Sequence, residues 1–174
     1  MVDIVITLIG LDRPGLVEAL AAVVAQHGGN WLEARLAHLA GQFAGIVRIN
    51  VAEEQVAALQ TALARLESSG LRVVAETGTS APSTAGRLME VELLGLDRPG
   101  LVREVSHILA RRQVNVEDLA TEVYSAPMTG DAMFRARARV TVPVDVDAQE
   151  LRASLQRLAR DLMVDISLAE PQGS

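Results

Sequence analysis

The chain has 174 residues, 49% hydrophobic and 2% aromatic, and its 16 basic against 22 acidic residues leave a formal net charge of −6. No cysteine is present, which excludes a disulfide scaffold, a thiolate metal site and a cysteine nucleophile. All 16 basic residues are arginine. An acidic, aromatic-poor chain lacks the positive field and stacking surface that nucleic-acid binding needs, so no direct nucleic-acid contact is expected. No stretch reaches the roughly 20 apolar residues that span a bilayer, and no basic segment opens the chain, so we expect a cytoplasmic protein without membrane contact.

In chain order, Ile4, Ile6 and Leu8 alternate on a first strand. A helix is expected to begin near Pro14, since proline suits the first helical position. It carries Leu16, Leu20 and Val24 on one face and stops at Gly28-Gly29. Strands are expected from Asn30 to Leu39 and from Phe43 to Val51. A single amphipathic helix over 53–68 follows, with Val56, Leu59, Leu63 and Leu66 on one face. A last strand starts at Leu71.

The order then repeats. Gly10-Leu11-Asp12-Arg13-Pro14-Gly15-Leu16-Val17 recurs unchanged as Gly95-Leu96-Asp97-Arg98-Pro99-Gly100-Leu101-Val102, and Asn30 recurs as Asn115. Such a duplication predicts two homologous domains, at 1–78 and 87–170, joined by a small-residue linker at 79–86. Strands at 87–94, 115–124, 132–142 and 163–169 and helices at 99–112 and 147–162 are expected in the second copy. Phe134, Ala136, Ala138, Val140 and Val142 answer Phe43, Gly45, Val47, Ile49 and Val51, which leaves six extra residues near Ser125–Gly130. Each copy reads β-α-β-β-α-β, the ferredoxin-like α+β plan of an antiparallel sheet with two helices on one face. On the outer face Arg135, Arg137 and Arg139 stand beside Glu90 and Glu92. Cross-strand charge pairing is the favoured reading over a basic patch for an acidic partner.

The repeated loop lies between a strand and a helix, whose first-turn N–H groups and dipole suit an anion. Asp12 and Asp97 place a carboxylate beside those donors, and Asn30 and Asn115 offer donor and acceptor together. Together these groups match a zwitterion. The alternative is that the aspartates only cap helices and the asparagines only shape the strand starts.

These loops, each followed by a helix and an Asn-led strand, resemble ACT domains, small regulatory modules that bind amino acids. With Tyr124 and the loop after it, the tandem form resembles the glycine cleavage repressors among them. The resemblance implies two ACT domains joined side by side, and pockets between the loop and first helix of one domain and the second-strand start of its neighbour. By position, Leu11, Asp12, Arg13, Pro14, Gly15, Asn30 and Trp31 would line one site. Leu96, Asp97, Arg98, Pro99, Gly100, Asn115 and Val116 would line the other. Trp31 is expected to pack under the helices. The implied effector is glycine or a similarly small amino acid, and the implied partner is a protein such as a transcriptional activator. A homodimer is compatible with the open sheet edges. The alternative is a structural ACT pair that mediates oligomerisation without a metabolite.

No cofactor and no catalytic residue is expected. His27, His38 and His107 lack neighbours at metal-ligand spacing. Without lysine no phosphate loop of the Gly-Lys type can form, and no Gly-x-Ser-x-Gly elbow occurs. Arg13 and Asn30 superficially fit an acylphosphatase, whose characteristic loop is absent. The second repeat runs to about residue 169, so no separate catalytic domain is expected.

Overall fold

The computed structural model describes residues 1–79 and 85–173. It divides into two compact units, Met1–Ala81 and Pro82–Ser174. Of the expected linker 79–86, residues 80–84 lie outside the described residues.

Among the described residues the first unit holds β1 (Val2–Leu11), α1 (Leu16–Gln26), β2 (Asn30–Leu39), β3 (Gln42–Val51), α2 (Val56–Ala64) and β4 (Leu71–Thr77). The second holds β5 (Gly86–Leu96), α3 (Leu101–Arg111), β6 (Asn115–Ser125), β7 (Ala132–Pro143), α4 (Ala148–Leu162) and β8 (Asp165–Ala169). The sheets run β2-β3-β1-β4 and β6-β7-β5-β8, antiparallel throughout. This is the ferredoxin-like order in both units.

Alternation decides which face of each sheet is covered. Ile4, Ile6 and Leu8 of β1 and Val47, Ile49 and Val51 of β3 are buried against Leu16, Leu20 and Val24 of α1 and Leu59 and Leu63 of α2. In the second unit Met89, Val91 and Leu93 meet Leu101 and Leu109 of α3 and Leu151 and Leu155 of α4. At about 25 cal/mol per Å² of apolar surface, this burial is the main stabilising term in each unit.

Three expectations change. Neither Pro14 nor Pro99 starts a helix: Gly15 and Gly100 are the N-caps, at φ 89° and 94°, and the helices begin at Leu16 and Leu101. The expected continuous helix 53–68 is a short α-helix with a 3-10 turn at each end, Glu53–Gln55 and Arg65–Ser69. Only the central α-helix contributes fully buried side chains, Leu59 and Leu63. The last strand begins at Asp165, because Met163 takes a left-handed conformation that ends α4.

The two sheets carry the same bulge. In β2 it lies between Trp31 and Glu33, and in β6 between Val116 and Asp118, so Leu32 and Glu117 have no partner opposite. The β2–β3 connection is a two-residue turn, Ala40-Gly41, with φ 49° and 78°. Its left-handed pair matches the twist of the flanking strands. In β6–β7 the extra residues Ala126–Asp131 form a loop closed by Ala126 N–H donating to Asp131 O (2.8 Å) and Gly130 N–H donating to Ala126 O (2.9 Å).

On the outer face of the second sheet, Glu90 lies opposite Arg139 and Glu92 opposite Arg137. Arg137 reaches Glu92 at 3.8 Å. Arg135 turns instead to Glu122 on β6 at 2.9 Å and stacks over the Tyr124 ring. Charge pairing across the strands is what this face shows.

Candidate functional site

The glycines of the repeated loop answer to two different constraints. Gly10 and Gly95 lie where a Cβ would collide, at 2.6 Å from Gly70 O and 2.4 Å from a Val164 methyl. Gly15 and Gly100 face open space, but their φ of 89° and 94° is disfavoured for any side chain. Each therefore turns the chain into a helix without covering the helix start.

That start lacks a side-chain cap in both units: neither Gly15 nor Gly100 can supply one, and no side-chain hydrogen bond replaces it. The first-turn N–H groups of α1 and α3 have no intrahelical acceptor. The aspartates do not cap these helices. The Asp12 N–H donates to Gly41 O (3.0 Å) and the Asp97 N–H to Ala132 O (2.8 Å). Both loops are thus pinned to the beginning of the neighbouring strand, in the same way in each repeat.

The side chains of the two loops differ in their partners. The Asp12 carboxylate lies 3.5 Å from His38 Nε2, and the Arg13 guanidinium donates to Ser69 O at 2.5 Å. Val123 occupies the position of His38 in the second unit. Asp97 and Arg98 make no side-chain hydrogen bond or ion pair among the described residues. A cleft of about 360 Å³ opens beside the first loop, lined by Leu11, Gln42, Glu67 and Arg72 among others.

Asn30 and Asn115 stand elsewhere. Asn30 pairs with Asn50, which pairs with Asp3, whereas the loop follows Leu11 at the opposite end of β1. Nine residues of extended strand separate the two levels, about 30 Å at roughly 3.3 Å per residue. Asn115 is related to Asp97 in the same way, through Thr141 and Leu88. Within one unit the structure therefore does not bring the aspartate and the asparagine together. Asn30 lies beside a residue that pattern reading passed over: Asn50 Oδ1 is buried and has no hydrogen-bond partner. Its position in a strand with Arg48 and Ile46 on the same outer face was the available signal.

Trp31 packs, partly buried, against the first core. Its counterpart Val116 is exposed and borders an apolar recess between α3 and β6, with Val105, Leu119 and Phe134. The Asn115 amide donates to Glu117 Oε1 at 2.6 Å and the Thr141 hydroxyl to the same oxygen at 2.8 Å. These bonds, with the field of Arg139, hold the Glu117 carboxyl below its ordinary range against a small opposing effect of burial. Among the described residues no group of three His, Asp or Glu side chains is placed to hold a metal ion. No helix among them is long and apolar enough to cross a membrane.

Residues 3–76 match the family model of the ACT domain. The second unit repeats the same strand order and the same Gly-Leu-Asp-Arg-Pro-Gly loop. The first unit is therefore an ACT domain, and the chain pairs it in tandem with a second unit of the same plan. As a whole, the chain resembles the glycine cleavage system transcriptional repressor. The Escherichia coli protein of that name is 24% identical over 166 residues, covering 91% of this chain and 85% of its own. A crystal structure described as a putative glycine cleavage system transcriptional repressor shares the fold with a TM-score of 0.69 and 22% identity, over 96% of this chain and 95% of that one. An unknown protein from Galdieria sulphuraria superposes with a TM-score of 0.83 and 30% identity, over 98% and 99% of the two chains. These likenesses support a regulatory role.

Proposed function

We propose that the chain is a non-enzymatic regulator that binds a small amino acid, glycine or one close to it in size, and acts through a protein partner. The observation that carries this reading is the pair of glycine-entered, uncapped helix starts, each beside an aspartate. An amino-acid carboxylate would take the free N–H groups of α1 or α3, and Asp12 or Asp97 would take its ammonium group. A site that also uses Asn30 or Asn115 needs that asparagine from another module, because within one unit it lies at the far end of the sheet. The similarity to a transcriptional repressor, together with the net charge of −6, supports action on a protein partner such as an activator in place of direct DNA contact. Effector binding would then shift partner affinity by linkage, typically about 1–3 kcal/mol.

Thermal unfolding with each of the twenty amino acids tests this. A ligand at 100 times its Kd raises stability by about 2.7 kcal/mol, and glycine or alanine is expected to give the largest shift. The Asp12→Ala, Asp97→Ala double variant is expected to keep the fold and lose the shift. If no amino acid moves the midpoint at millimolar concentration, the sensor reading is wrong and the structural, oligomer-forming pair replaces it. The exposed apolar residues Ile9, Ile46 and Val74, grouped on the outer face of the first sheet, favour that second reading.

A further inference from the structure

The helix-covered side of the second unit carries a feature that the amino-acid site does not use. Between the end of α3 and the middle of α4 lies a cleft of about 570 Å³, lined by Ile108, Arg111, Arg112, Ser154, Arg157 and Asp161 with Leu158. Ser154 is the one buried polar residue among those described. Its hydroxyl oxygen accepts from Arg112 at 2.7 Å and from Arg157 at 3.2 Å. Two guanidinium groups are thus drawn to a single neutral atom, where like charges repel. Glu150, 3.6 Å from Arg112, offsets part of that charge. Three arginines facing Asp161 and Glu150 leave the cleft with one net positive charge, within a chain whose total is −6.

Helix dipoles do not account for the cluster. Arg111 and Arg112 are at the C-terminus of α3, where a cation is favoured. Arg157 lies further from the end of α4, with five residues of helix still to follow. The repeat does not account for it either. Aligned through the loops, Gln26 and His27 stand in place of Arg111 and Arg112. Aligned through the buried pairs Leu59–Leu63 and Leu151–Leu155, Ala62 stands in place of Ser154 and Ser69 in place of Asp161, and only Arg65 matches Arg157.

We propose that this cleft is a binding site for a small dianion of the phosphate class, gripped by Arg111, Arg112 and Arg157 with the Ser154 hydroxyl at its floor. Guanidinium groups present paired N–H donors in a fork that matches phosphate oxygens, and an anion between Arg112 and Arg157 would relieve their mutual repulsion. The site is independent of the amino-acid reading, since it shares no residue with either loop.

The test uses the full chain at pH 7.5, titrated with potassium phosphate against potassium chloride at matched ionic strength. Thermal midpoints and the arginine side-chain NMR signals are followed. Phosphate is expected to raise the midpoint in the millimolar range and to move the signals of Arg111, Arg112 and Arg157. Arg111→Gln with Arg157→Gln, which leaves the buried Ser154–Arg112 bond intact, is expected to weaken phosphate binding at least tenfold. Arg35→Gln, on the first sheet, is expected to leave it unchanged. Equal shifts with phosphate and chloride, or full phosphate binding in the double variant, would overturn the site. A shift with succinate and none with phosphate would overturn the phosphate assignment.

Discussion

The two units share a topology, a bulge and an eight-residue loop, and they differ most in how far the inner face of the edge strand is buried. In the first unit Trp31, Ala34 and Leu36 of β2 are partly buried against the core. In the second unit the corresponding Val116, Leu119 and Thr121 are exposed. Gly45 on β3, opposite Leu36, marks one difference between the two edges. A Cβ there would stand 2.0 Å from Arg35 O and 2.8 Å from the Leu36 Cα. The second unit has Ala136 at that position, opposite Thr121. A duplicated fold thus keeps one strand pairing while the burial of its edge strand differs, and Gly45 against Ala136 is one of the substitutions at that edge.

The largest expected effect comes from removing that distinction. Gly45→Ala forces backbone apart on both strands, and overpacking of this kind costs about 3 kcal/mol. The reverse change, Ala136→Gly, removes a side chain without creating a clash and costs about 1 kcal/mol through backbone entropy. Native-state hydrogen exchange of the Ile6 and Ile49 amides reads the first unit, and that of Val91 and Val140 the second. Equal losses in the two units would show that the close approach at Gly45 does not act locally on the first sheet.

A smaller effect is expected where the indole is exchanged. Trp31→Val opens a gap against the first core and is expected to cost about 2 kcal/mol, below the full core value because the ring is only partly buried. Val116→Trp would place an indole over the recess beside Val105 and Phe134 and is expected to gain about 1 kcal/mol. A loss in the second case would mean that the recess is too narrow for the ring. Exchange of the same amides separates the two units.

What the sequence disclosed and what it hid follow from the range of the interactions. The strands were readable because alternation is local and the covered face follows from it, as for Ile4, Ile6 and Leu8. The start of α1 was misread because the conformational demand at Gly15 outweighs the preference of Pro14, and a proline next to a glycine does not announce which of them leads. The length of α2 was misread because Val56, Leu59, Leu63 and Leu66 keep a helical period through segments whose hydrogen bonding is 3-10. The Asp12–His38 pair depends on the hairpin register, which follows from the Ala40-Gly41 turn once that turn is recognised. The arginine cleft was not readable, since Arg112 and Ser154 are 42 residues apart and meet only through helix packing. For the loop residues the repeat marks Asp12 and Asn30 alike, and strand register alone shows that they belong to opposite ends.

The smallest expected effect concerns the bulge. Leu32 and Glu117 are equivalent positions, and only the second is titratable. Because the folded state holds the Glu117 carboxyl below its ordinary range, the unfolded chain takes up the proton first as pH falls. The stabilisation from Glu117 is therefore present above the unfolded value and is lost as pH drops through the folded one. The side chain is exposed, so solvent screening limits the effect to a few tenths of a kcal/mol. Glu117→Leu, which gives the second bulge the residue of the first, removes both hydrogen bonds and the charge. Its stability relative to the original chain is expected to be lower at pH 7 and to recover as pH approaches 3, by urea unfolding at each pH. A deficit that stays constant over this range would assign the role of Glu117 to packing at the bulge, independent of its charge.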